Sequence, residues 1–192
     1  MTWKLTQIRK RLSPETKTDI DELGVILPTD NTPDDANASI PSEYWNLSGA
    51  LYAYLYMRLA VLRIEIIGES QLVGYPSQFP SVTMIDWKDG KPNARYWVLK
   101  LIRDNFGPGD ELFETRIDPQ WGVAAQAFVT PFGKRLLLIN KRDRPVDVKL
   151  PGSMAITRGW IVDESTGEGA ARLEIISSTV LRLNPFAVVV LE

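Results

Sequence analysis

The chain of 192 residues contains no cysteine and no histidine. Without cysteine it has no disulfides, thiolate metal sites or cysteine nucleophiles. Without histidine it has no Ser-His-Asp triad, no His-ligated zinc and no imidazole acid–base catalysis. Any catalysis must therefore rest on carboxylates, tyrosine, lysine, arginine or a metal held by oxygen ligands. Carboxylate pairs are the usual catalytic groups of glycoside hydrolysis.

Charge and hydropathy exclude further classes of partner. The 22 basic and 24 acidic residues are interspersed and no basic block stands out, so we expect no nucleic-acid partner. The most apolar segment, residues 47–67, is interrupted by Arg58, Arg63 and Glu65, so we expect no membrane span. The N-terminus has no apolar core of the length that a signal peptide needs. The sequence does not identify the cellular compartment of the protein. If the chain is complete as given, we expect it to be cytoplasmic.

Residues 1–110 show an alternation of helical and strand-like segments. Helical spacing covers residues 3–11 and 44–62, a third helix begins near Pro92, and strand-like runs cover residues 18–27 and 64–67. The order helix, strand, helix, strand, helix is typical of parallel strands joined by crossover helices.

The pattern changes at the breaker Phe106–Asp110, which contains two glycines and a proline. Beyond it, seven or eight short strands separated by turn residues predict an antiparallel β-sandwich. The fold class expected is therefore α/β plus all-β, with a domain boundary near residue 110. The first domain covers residues 1–110 and the second covers residues 111–192.

Two carboxylates stand where the strand-like runs end. Glu22 precedes Leu23 and Gly24, and Glu69 follows the run 64–67. Since (β/α) barrel enzymes carry their catalytic groups at the carboxyl ends of the strands, both are candidate catalytic residues. A structural alternative stays open for each. Glu22 fits a solvated acidic edge or a capping cluster, and Glu69 fits a loop carboxylate that accepts backbone N–H groups.

The loop after the second run supplies candidate substrate-binding residues. Gln71 can bond hydroxyl groups, and Tyr75 and Trp87 can stack on sugar rings. Packing is the favoured interpretation for the other aromatic side chains nearby, and also for Trp160. We expect Asn93 or Asp89 to cap the helix that follows.

Four segments resemble the C-terminal part of retaining glycoside hydrolases of the clan A type, such as families 39 and 51. They are Asp21–Gly24, Gly68–Trp87, Gly90–Trp97 and Gly133–Lys141. In those enzymes the last strands and helices of a barrel are followed by a β-sandwich. The resemblance spans nearly the whole chain. It implies a partial (β/α) barrel of two βα units, followed by the sandwich.

The resemblance makes residues 18–27 the seventh strand and residues 64–67 the eighth. It puts the nucleophile at Glu22 and gives Glu69 a supporting or substrate-contacting role. Strands one to six, with the acid/base, lie outside this chain, whereas retaining hydrolysis needs two carboxyl groups about 5 Å apart. We therefore expect a glycosidase fragment or remnant that is inactive alone.

Such a fragment would oligomerise or bind a partner chain that completes the barrel. Carbohydrate is the expected ligand, with no cofactor and no metal. The alternative is a non-catalytic carbohydrate-binding or structural β-sandwich module with a helical extension.

Overall fold

The computed structural model describes residues 2–12, 14–28, 30, 40–74, 79–118 and 122–192. Its first part contains three helices and two strands: α1 (Thr2–Arg11), β1 (Asp19–Leu23), α2 (Ser42–Val61), β2 (Ile66–Glu69) and α3 (Ala94–Asn105). A 3-10 turn, Pro80–Val82, precedes α3. Within the described part of the chain, no helix is long and apolar enough to cross a membrane.

The remainder is made of short strands. They are β3 (Glu111–Phe113), β4 (Val123–Thr130), β5 (Gly133–Asn140), β6 (Val146–Lys149), β7 (Arg158–Val162), β8 (Arg172–Ile175), β9 (Val180–Leu183) and β10 (Val188–Leu191). The predicted run of antiparallel strands is present, but it is divided unequally. Six strands form one sheet in the order β3-β4-β5-β10-β7-β8, and β6 pairs with β9 in a separate ribbon.

Strands β1 and β2 pair in parallel and are joined through α2, as the alternation predicts. The first is shorter than the sequence indicated, and the second is shifted along the chain by two residues. The strand predicted over residues 18–27 ends at Leu23, because the chain leaves the pairing there. The strand predicted over residues 64–67 starts at Ile66 and ends at Glu69. Glu69 is thus the last residue of the strand, where the sequence had placed it in the loop.

The central strands of the six-stranded sheet are buried on both faces. Side chains of a strand point alternately to opposite faces, and β10 shows both environments. Val188 and Val190 pack in a core with α2 and α3. Val189 and Leu191 pack in a second core with the β6–β9 ribbon. The sheet is therefore the middle layer between a helical layer and a two-stranded layer.

Helices α2 and α3 lie close together because small residues face each other. A Cβ added to Gly49 would stand 3.0 Å from the Val98 side chain and 3.2 Å from the Ala94 carbonyl oxygen. Ala50 and Ala53 of α2 continue this face into the core that the helices share with the sheet. The predicted domain boundary near residue 110 stays a prediction, and the shared core couples the two sides of it.

Gly68 offers a test of the parallel pairing. A Cβ at this position would lie 2.2 Å from the carbonyl oxygen of Asp21 on β1, which is backbone and cannot swing away. We expect Gly68→Ala to lower the free energy of unfolding by about 1–3 kcal/mol, as overpacking does. Urea denaturation followed by circular dichroism measures it.

Gly107→Ala is the matched control, since nothing lies within 4 Å of a Cβ there. A Gly68→Ala protein that unfolds at the wild-type urea concentration would show that β1 and β2 are not held in this register.

Candidate functional site

The carboxyl ends of β1 and β2 form one edge, since the strands run in parallel. Ile20 pairs with Ile67 and Leu23 pairs with Glu69, with an irregularity between the two pairs. One more residue lies on β1 than on β2 in this interval, so β1 carries a bulge of the kind that re-aims side chains. Glu22 lies in the bulge, one residue before the partner of Glu69. The edge therefore brings the two candidate carboxylates to neighbouring backbone positions.

The two carboxylates have different environments. Glu22 is exposed to solvent. Glu69 is partly buried, and its Oε2 atom is inaccessible to solvent and accepts no hydrogen bond from the described residues. Burial disfavours the charged form of a carboxyl group and raises the pKa of Glu69 to about 8. Glu69 is therefore mostly a neutral carboxylic acid at pH 7, able to donate a hydrogen bond.

The residues after Glu69 are held in an unusual backbone path. Ser70 is buried, and both its backbone N–H and its hydroxyl donate to the carbonyl oxygen of Leu23, each at 2.9 Å. Gln71 has a positive φ of 42°, a left-handed conformation that side chains other than glycine rarely adopt. Its Oε1 is buried and has no partner among the described residues. Ser70 thus ties the two strand ends together, and Gln71 brings a second unpaired acceptor to this region.

Of the two aromatic candidates for substrate binding, Trp87 and Tyr75, only Trp87 lies among the described residues. Trp87 is 49% exposed, and the ammonium of Lys88 lies 5.6 Å from the centre of its ring. Its accessible ring stays compatible with ligand stacking. Tyr75 lies outside the described residues. Asn93 caps α3, with its side chain accepting from the Arg95 backbone N–H at 3.0 Å, while Asp89 accepts from Lys91 in the preceding turn.

Sequence reasoning missed a buried polar network behind this edge. Asp30, in a segment interpreted only as a polar loop, is buried and accepts from the backbone N–H and the hydroxyl of Ser81. The carbonyl oxygen of Ser81 accepts from Arg95 Nη1 at 2.7 Å and from the Tyr44 hydroxyl at 3.2 Å. The single hydroxyl hydrogen of Tyr44 is shared with the carbonyl oxygen of Val25, which lies closer, at 2.6 Å. The network joins the loops that follow β1 and β2.

Arg95 is the central cation of this network. It is fully buried, and its guanidinium lies 4.7 Å from the centre of the Tyr52 ring. Desolvation lowers its pKa to about 10, although the charges of Tyr44 and Asp30 oppose that shift. A sequence signal existed, because Arg95 shares the apolar stripe of α3 with Val98 and Ile102 at helical spacing.

This arrangement can supply one exposed carboxylate and one protonated carboxylic acid on adjacent strands. Among the described residues, no group of three or more acidic side chains is placed to hold a metal ion. Carboxylate chemistry is what the edge offers.

Comparison with a family model covers the second part of the chain. Residues 122–191 match the model described as D-apionate lactonase, C-terminal immunoglobulin-like domain. These residues begin just before β4 and run to the end of β10. The sandwich is therefore immunoglobulin-like. A search of the curated proteins finds no match.

Solved structures resemble the whole chain. A family 30 endoxylanase from Clostridium papyrosolvens superposes with a TM-score of 0.62 at 12% identity, over 96% of this chain and 44% of its own length. A family 86 β-porphyranase from Bacteroides plebeius gives 0.63 at 15% identity, over 97% of this chain and 36% of that one. A family 51 arabinofuranosidase from Xanthomonas axonopodis gives a TM-score of 0.57 at 15% identity, over 99% of this chain and 45% of its own length.

These likenesses establish a fold shared with glycoside hydrolases. At such identities they show the fold alone. The chain spans less than half the length of each of the three enzymes.

The raised pKa of Glu69 predicts a pH-dependent stability. In the unfolded chain this carboxyl group ionises near its ordinary value of 4.5, whereas in the folded protein it stays protonated up to about 8. Its contribution to the free energy of unfolding is fully present below pH 4.5. That contribution falls as the pH rises from 4.5 to 8, because the unfolded state releases the proton first. We expect Glu69→Gln to remove this part of the pH dependence, and to stabilise the protein relative to wild type at pH 8 more than at pH 5.

Urea denaturation of wild type and Glu69→Gln at pH 5 and pH 8 measures the difference. Glu22→Gln serves as the control, since Glu22 is exposed. Equal pH dependence in the wild type and Glu69→Gln would mean that Glu69 ionises normally in the folded protein.

Proposed function

We propose that this chain is the C-terminal part of a retaining glycosidase and that Glu22 is its nucleophile. The observation that carries the proposal is the shared edge of β1 and β2, where Glu22 is exposed and Glu69 is its partly buried neighbour. The likeness to glycoside hydrolases over nearly the full chain supports it. On this proposal residues 1–110 are the last two βα units of a barrel, and residues 111–192 are the attached sandwich.

In the proposed reaction the Glu22 carboxylate attacks the anomeric carbon of a glycoside. The bond to the leaving oxygen breaks as the glycosyl ester with Glu22 forms, and a carboxylic acid protonates that oxygen. Water then hydrolyses the ester and releases the sugar. The acid comes from barrel strands outside this chain. Glu69, neutral at pH 7, donates a hydrogen bond to a substrate hydroxyl, with Gln71 and Trp87 as further contacts.

The strand pair itself supports a larger assembly. Each of β1 and β2 pairs only with the other among the described residues, so each has an open edge. Ile66 is 59% exposed, and Leu72 and Val73 beyond β2 are also exposed. We propose that further βα units, from a partner chain or another part of a longer protein, pair with these edges. The similar enzymes are more than twice as long as this chain.

A fluorinated substrate tests the nucleophile directly. A 2-deoxy-2-fluoro glycosyl fluoride needs no acid, because fluoride leaves unaided, and its glycosyl ester is long-lived. The protein is assayed together with the partner chain or longer sequence that carries the remaining βα units, which we call the native assembly. We expect the xylobiosyl or arabinofuranosyl reagent to add to the peptide containing Glu22. Peptide mass spectrometry locates the adduct.

Glu22→Gln should abolish labelling and lower turnover of aryl glycosides by about a thousandfold or more. Glu15→Gln, an exposed residue before β1, should leave both unchanged. An assembly that hydrolyses aryl glycosides while labelling a different carboxylate would refute the role of Glu22.

A second function is favoured by the family match of residues 122–191. If the match extends to activity, the protein acts on sugar-acid lactones, and the assembly opens D-apionolactone to the free acid. Acid release followed in a pH-stat distinguishes the two, since a glycosidase releases no acid from a glycoside. Failure of both assays in the native assembly would favour the non-catalytic carbohydrate-binding or structural module.

A further inference from the structure

A groove between α3 and the six-stranded sheet lies apart from the strand-end carboxylates. It has a volume of about 330 Å³. Its lining includes two tryptophans, three charged side chains and a small residue: Trp97, Lys100, Asp104, Arg135, Trp160 and Ala170. None of the candidate site residues lines it. Its walls come from parts of the chain that are distant in sequence and meet only in the fold.

The two tryptophans are partly buried and pack against the core that the helices share with the sheet, as the sequence indicated. They also line the groove, so packing is not their only contact. Trp97 is held in place, because its Nε1–H donates to the carbonyl oxygen of Glu168 at 2.7 Å. The guanidinium of Arg158 lies 5.5 Å from the centre of the Trp160 ring. Aromatic rings fixed in this way lose little conformational entropy when a ligand packs on them.

The charged side chains of the groove are already paired. The Lys100 ammonium lies 2.6 Å from the Asp104 carboxylate. Arg135 donates to the carbonyl oxygen of Asn105 at 3.2 Å and pairs with Glu192 at 3.3 Å. Each of these carboxylates also pairs with a second arginine, Asp104 with Arg103 and Glu192 with Arg158. The lining thus offers hydrogen-bond donors and an acceptor, which suit a ligand that carries many hydroxyl groups.

We propose that this groove binds an oligosaccharide, stacking sugar rings on Trp97 and Trp160 and bonding their hydroxyls to Lys100 and Asp104. The volume lies at the lower end of small-molecule sites, room for roughly one or two sugar rings. This is a binding site separate from Glu22. It does not rest on the proposed glycosidase activity, since a non-catalytic module would use it equally.

Isothermal titration calorimetry with xylohexaose and cellohexaose tests the site. We expect saturable binding of at least one of them to the wild-type protein. Ala170→Trp places a large side chain at the exposed rim of the groove and should weaken binding about tenfold or more. Ser177→Trp adds the same side chain at an exposed position that does not line the groove, and should bind as wild type does.

A second variant distinguishes a loss of binding from a loss of folding. Lys100→Met keeps the length of the side chain and removes the ammonium donor, and it should also weaken binding while leaving the melting temperature unchanged. Glu22→Gln should bind normally, which separates this proposal from the proposed function. Two results would overturn it: no saturable binding of either sugar up to about 10 mM, or full affinity in both Ala170→Trp and Lys100→Met.

Discussion

The burial of the central strands on both faces is the constraint on which the rest of the fold depends. In β10 the residues Val188 to Leu191 are fully buried, and neighbouring positions belong to different cores. Strand β5 beside it behaves in the same way, with Leu137 in one core and Leu138 in the other. A sheet so covered cannot lose its helical layer without exposing apolar surface to water. The sandwich thus determines where α2 and α3 lie.

The helices transmit that constraint to the candidate site. Helix α2 contributes Tyr44 and Tyr52, and α3 contributes Arg95, all directed to the backbone or side chains behind the strand ends. These contacts hold the loops after β1 and β2 against helices that are packed on the sheet. A buried guanidinium is expensive unless it is paired or stacked. Here Nη1 of Arg95 donates to the Ser81 carbonyl oxygen and the guanidinium stacks on Tyr52, while Nε and Nη2 are buried without a partner among the described residues.

Local patterns predicted the parts of this structure that local interactions decide. The parallel pair, the α3 cap at Asn93 and the strands beyond residue 110 follow from periodicity, turn residues and capping chemistry. The features that were missed depend on distant contacts. Glu69 belongs to β2 because it pairs with Leu23 of β1, and Arg95 donates a hydrogen bond to the carbonyl oxygen of Ser81. The groove needs Trp97 and Trp160 to meet across the fold. The six-and-two division of the strands is likewise a property of tertiary packing.

The contrast between Glu22 and Glu69 gives the proposed mechanism its physical basis. Two carboxyl groups in one site take different roles when their environments differ. Burial keeps Glu69 neutral at pH 7, so it adds no like charge beside an attacking carboxylate. Glu69 ionises as the pH rises through about 8. On the proposed mechanism, an exposed Glu22 next to a neutral donor suits attack on an uncharged sugar, with the acid supplied by the strands that pair with this edge.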